Sequence, residues 1–146
     1  MNRTLLLALV FVACGSDAGV GPNPEEIVFA AELEIDLATM TRTASGLYFQ
    51  DVVVGDGLTA AAGTTVVVDY SGWLPNGTLF DSGSNAAFPV GTGGLIAGFD
   101  EGVQGMRVGG TRKLVIPPEL GYGASSIGSI PANSTLVFRI TLKDVQ

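Results

Sequence analysis

At 146 residues the chain has room for one domain and a leader, and its 47% hydrophobic content supports a real core. Charged residues make up only 14%, against about 25% in ordinary globular chains, and 21 glycines point to a turn-rich, mostly β chain rather than a helical bundle. A net charge of −7 argues against nucleic acid as a partner, the absence of His removes imidazole-based catalysis and metal binding, and a lone Cys excludes an internal disulfide.

Residues 1–13 read as a signal peptide. Arg3 precedes an apolar run from Leu5 to Ala13, far short of the ~18–20 residues that span a bilayer. The run ends in Phe11-Val12-Ala13-Cys14, which resembles a bacterial lipobox, with Phe11 standing where Leu is commoner. The resemblance implies lipidation of Cys14 and a membrane-anchored protein of the bacterial cell envelope, because two or more acyl chains anchor stably where one does not. An ordinary secretory signal cut near Ala13, or a fortuitous Cys, is the alternative. Gly15 after the Cys is not the Asp retention signal of enteric bacteria, which favours the outer membrane, facing the periplasm or the cell surface.

Residues 14–24 are rich in Gly, Pro and Asp and read as a flexible tether. Residues 25–43 form an N-terminal extension of ambiguous structure. Ala31, Leu33, Ile35 and Leu37 alternate with acids as in a strand, while Leu33, Leu37 and Met40 also suit a helix. The domain proper is expected over residues 44–146.

Residues 46–54 read as a first strand and 64–74 as a second, with Val66, Val68 and Tyr70 on one face. Pro75-Asn76-Gly77 makes a tight turn into residues 78–81. A loop over 82–87 is expected to lead to a short strand at 88–90. The stretch 91–106 then predicts the one helix, with Leu95, Ile96, Phe99, Val103 and Met106 on its apolar side and Asp100, Glu101 and Gln104 on a solvated side. Strands follow at 112–116 and 135–145, separated by a loop over 119–133 that is long enough to suggest function. An antiparallel sheet wrapped around a single short helix, an α+β fold, accounts for this order most simply.

Four blocks then carry a resemblance: VVVDYSGWLPNGTLFDS (66–82), VGTGGLIAGFDEGVQGMRVGG (90–110), KLVIPPELGYGA (113–124) and IPANSTLVFRITL (130–142). In order and spacing they are similar to the FKBP-type peptidyl-prolyl cis-trans isomerases. The resemblance implies the same sheet-over-helix fold and a shallow apolar pocket acting on X-Pro bonds of polypeptides, with no cofactor and no metal. By position, it makes Tyr70, Asp81 and Tyr122 the candidate catalytic residues. Phe80, Leu95, Ile96, Ile130 and Phe138 become walls of the pocket and Phe99 its floor, with the Ile96 N–H and the Tyr122 hydroxyl as donors to substrate carbonyls. Phe99 replaces the floor Trp of many members and Ala86 replaces a common wall aromatic, departures that bear on macrolide-drug binding more than on catalysis.

Other readings remain beside this one. Asp81 also suits a turn cap, and the strand aromatics also suit a plain core. Gly91, Gly93 and Gly94 ahead of a helix lack the Lys-Ser/Thr ending of a phosphate loop. A non-catalytic chaperone that grips proline-containing segments uses the same fold, and a purely structural surface lipoprotein needs no pocket.

Overall fold

The computed structural model describes Pro24 and residues 27–146; the signal peptide, Cys14 and nearly all of the tether lie outside the described residues. Alternating apolar side chains form the centre of one antiparallel sheet. Its strands are β1 (Thr41–Arg42), β2 (Tyr48–Val53), β3 (Thr65–Trp73), β4 (Leu79–Pro89), β5 (Thr111–Ile116) and β6 (Leu136–Val145). Their spatial order is β1-β2-β5-β6-β3-β4. The expected alternation of the last strand holds: Leu136, Phe138, Ile140 and Leu142 are buried on one face. That face meets helix α1 (Ala97–Val103), whose Phe99 and Val103 complete the core with Val66, Val68, Leu114 and Ile116. The result is the expected α+β arrangement, an antiparallel sheet packed against one short helix among the described residues.

The helix is shorter than the stretch 91–106 predicts. Gly91 and Gly93 at φ of 84° on one side and Gly105 at 89° on the other adopt backbone that ends a helix and that glycine enters freely. Leu95 and Ile96 therefore precede the helix. Seven residues cannot hold a helix in water alone, so tertiary packing holds it. Gly98 and Gly102 face the sheet, and a Cβ there would sit 2.5 Å from the Ile116 and Leu114 side chains respectively. At its far end, buried Arg112 of β5 donates from Nη1 to the Gly102 and Gln104 carbonyl oxygens (3.0 and 3.2 Å). The same guanidinium pairs with Asp51 of β2 at 2.7 and 3.2 Å and lies 4.7 Å from the Phe49 ring centroid. A cation is favourable at this end of the helix, where the peptide dipoles leave negative charge.

Two further expectations are corrected. Residues 82–87 are not a loop: β4 continues through them, paired to β3 with register shifts that erase simple alternation. The ambiguous extension is neither one strand nor one helix: its described residues form two 3₁₀ turns, Ala31–Leu33 and Leu37–Thr39, and then the short strand β1. Glu34 at φ 53° interrupts the chain between the two turns, and the Asp36 carboxylate accepts from the Ala38 N–H, a local bond that competes with regular structure. The extension reaches the sheet's outer face. Ala30 N–H donates to the Pro75 carbonyl (2.7 Å) and Lys113 Nζ to the Glu34 carbonyl (3.1 Å). Leu33 is buried and lines a crevice with Trp73 and Val137. Tyr48, Val115, Val137 and Trp73 form one cross-strand row on this outer face, the first three of them buried.

Candidate active site

On the inner face, beyond the edge of the core, the sheet and helix leave a cavity of about 360 Å³. Tyr70 of β3, Asp81 and Phe88 of β4, Phe99 of the helix and Phe138 of β6 surround it, and Leu95, Ile96 and Tyr122 close it from the loops. Phe99 lies at the centre of the rings. Its centroid is 5.9 Å from Tyr70, 5.7 Å from Phe88 and 5.3 Å from Phe138, all edge to face, the arrangement that the ring quadrupole favours.

The polar groups are few and directed. Tyr70 Oη donates to Asp81 Oδ2 at 3.0 Å across neighbouring strands. Burial first, then the bond to Asp81 and the nearby charges, pushes the Tyr70 phenol above its ordinary value of 10.0, so it remains a neutral donor. Gly83 stands opposite Tyr70, and a Cβ there would lie 2.6 Å from the tyrosine ring, so the ring needs glycine beside it. The Ile96 N–H, at the helix start, donates to no acceptor among the described residues, and the Tyr122 hydroxyl stands at the half-open rim. The lining holds no Ser, Cys or Lys nucleophile. Its polar side chains are Tyr70, Asp81 and Tyr122, set among aromatic and aliphatic walls.

Residues 57–143 match the family described as FKBP-type peptidyl-prolyl cis-trans isomerase. The chain belongs to this family. Similar proteins include the FK506-binding protein of Neisseria meningitidis serogroup B, 46% identical over 68% of this chain and 96% of that protein. FK506-binding protein 4 of Mycosarcoma maydis is 46% identical over 74% of this chain but only 30% of its own length, so the chain spans about a third of that fungal relative. Among solved structures, FkpA from Escherichia coli aligns with a TM-score of 0.69 at 36% identity, over 80% of this chain and 63% of that one. AtFKBP13 aligns at 0.68 and 38%, over 73% and 98% respectively.

The FKBP-type cavity brings together seven of the nine residues named from the sequence: Tyr70, Asp81, Leu95, Ile96, Phe99, Tyr122 and Phe138. Phe80 and Ile130 do not line it. Phe80 is half-buried against the core, edge-on to Phe138 at 5.5 Å, and Ile130 is buried in the core cluster. Phe88, Gly93 and Gly94 line the cavity and were missed. Phe88 supplies an aromatic wall while Ala86, two residues earlier on the same face, supplies none. Residue type and strand propensity mark Phe88 as a strand residue, but which face it takes depends on the register of β4. Asp100 and Glu101, expected on a solvated face, are half-buried there, and each accepts one exposed hydrogen bond. Asp100 Oδ1 accepts from the Gly91 N–H (2.9 Å), which anchors the Leu95–Ile96 loop, and Glu101 Oε1 accepts from the Ser45 hydroxyl.

Proposed function

We propose that this chain turns X-Pro bonds of exported polypeptides in the Phe99 cavity and is held at a bacterial envelope membrane through a lipidated Cys14. One observation carries the catalytic part: a box of aromatic rings over Phe99 with the Tyr70–Asp81 bond at its side. Rotation about X-Pro costs ~18–20 kcal/mol because the amide loses resonance. The planar amide carries more charge separation than the twisted one, and walls that offer it few partners disfavour the planar state relative to the twisted one. On this reading the prolyl ring packs on Phe99, the Ile96 N–H and Tyr122 Oη hold the flanking carbonyls, and Asp81 sets the Tyr70 ring. A gain on the order of 10⁶ requires about 8 kcal/mol in favour of the twisted amide, shared among packing, those bonds and orientation of the peptide.

The anchor reading is supported by the Phe11–Cys14 sequence alone. A short X-Pro peptide followed by NMR exchange tests the catalysis: exchange faster than background is expected. Binding of the peptide without acceleration would overturn it in favour of the non-catalytic chaperone. Fatty-acid labelling and membrane fractionation of wild type and Cys14→Ser test the anchor. The wild type is expected to label and to partition with membranes, and a soluble, unlabelled wild type would refute it.

A further inference from the structure

Asp81 and Phe88 both line the cavity, yet they lie seven residues apart on one strand. Side chains of a regular strand alternate, so an odd separation should put them on opposite faces. The register explains why it does not. Val66 pairs with Phe88 and Val68 with Ala86, but Tyr70 pairs with Gly83 and Gly72 with Asp81. Two residues of β4, Ser84 and Asn85, thus stand against one residue of β3, Asp69, which makes a β-bulge. Continuing the regular pairing from Val68–Ala86 would set Ser84 against Tyr70. Gly83 and Asp81 would then turn to the outer face, since a one-residue slip turns over every side chain beyond it.

Asp69 holds this bulge. Its Oδ1 accepts from the Asn85 N–H at 2.8 Å, and Asn85 has φ of 51°, a left-handed conformation that Asn tolerates better than most residues. Its Oδ2 faces Lys143 Nζ of β6 at 3.2 Å, which steadies the carboxylate from the other neighbouring strand. We infer that Asp69, outside the cavity, is a positioning residue: by clamping the bulge at Ser84–Asn85 it turns Asp81 inward onto the Tyr70 hydroxyl. This inference rests on the reading of the cavity as the isomerase site. The exposed ion pair adds little by itself; the bond to the Asn85 N–H is the active part.

Asp69→Ala removes the acceptor, Asp69→Asn keeps a side-chain oxygen at the same place, and Lys143→Met removes only the ion pair. The experiment reads three quantities for each full-length variant: melting temperature, kcat/KM on a short X-Pro peptide, and the ¹³Cζ shift of Tyr70, which reports its bond to Asp81. In Asp69→Ala the Tyr70 signal is expected to move and kcat/KM to fall roughly 2- to 12-fold, the value of one mis-set hydrogen bond. Asp69→Asn is expected to restore both, and Lys143→Met to leave both near wild type. A Tyr70 signal unchanged in Asp69→Ala overturns the inference, whatever happens to the rate. So does a loss in Asp69→Asn equal to that in Asp69→Ala. If the wild type shows no isomerase activity, the reading of the cavity fails, and the Tyr70 signal still decides whether Asp69 sets the Tyr70–Asp81 contact.

Discussion

Tyr70 and Asp81 share one hydrogen bond, and substitutions around the cavity separate what each polar group contributes. Tyr122→Phe removes one neutral donor from a half-exposed rim, so kcat/KM is expected to fall by about 0.5–1.5 kcal/mol, roughly 2- to 12-fold, with Tm almost unchanged. Asp81→Ala is expected to cost about as much if Asp81 only orients Tyr70, and more if its charge acts on the twisting amide. Steady-state kinetics alongside thermal melts distinguishes the two. The same pair carries a pH signature. The fold favours the neutral Tyr70 phenol, chiefly through burial and next through the bond to Asp81, so its titration is raised above 10.0. The associated stability is complete below pH 10.0 and declines as pH rises through the raised value. An NMR titration of Tyr70 in Asp81→Ala is expected to give a lower midpoint than wild type. Because burial is the first cause, that midpoint should remain above the ordinary value.

Helix α1 connects stability to the site, because its first turn carries Phe99 and the residue just before it is Ile96. Gly102 determines how closely the helix approaches the sheet, since a Cβ there would lie 2.5 and 2.6 Å from the two methyls of Leu114. Gly102→Val places more volume in that contact than the helix propensity of Val can offset. Overpacking of this kind costs about 1–3 kcal/mol. The expected outcome is a lower Tm together with a raised KM, as the Phe99 floor and the Ile96 N–H move away from the strands. A variant whose Tm falls while KM stays constant would show that the floor position is independent of the helix seat.

Across the described residues, the sheet is covered on its inner face and, along one row, on its outer face. The inner one carries the core and the cavity. The outer row of Tyr48, Val115 and Val137 is buried beside the extension that carries Leu33. A chain beginning at Ala44 keeps the whole inner face but loses Leu33, the two 3₁₀ turns and strand β1. It is expected to fold cooperatively with a lower Tm, losing at least the about 1.5–3 kcal/mol that burial of one Leu or Val side chain supplies. Its kcat/KM should match the full chain. Trp73, the single tryptophan, lines the same crevice and reports the change: its emission should shift to the red on truncation. Loss of cooperative unfolding would make residues 27–43 an essential part of the domain.

The antiparallel sheet and the helix α1 were legible in the sequence because they rest on local patterns, and seven cavity residues because they hold family positions. Alternation in Leu136–Val145, helical spacing around Phe99 and four blocks in family order do not depend on how distant segments meet. The sequence could not reveal which way β4 faces. Its inward residues, Asp81 and Gly83 and then Ala86 and Phe88, change parity at a bulge clamped from β3, so residues 82–87 look like a loop and Phe88 looks unassigned. The extension was opaque for a similar reason. Its pattern fitted two periods equally, and contacts with Pro75 and Lys113, distant in sequence, selected a third conformation. Phe80 and Ile130 were placed by family position, but lining a cavity depends on ångström-scale packing: Phe80 packs edge-on against Phe138, and the core takes Ile130. Local periodicity determines the regular strands and the helix; register and packing between distant strands decide the rest, including which side chains line the cavity.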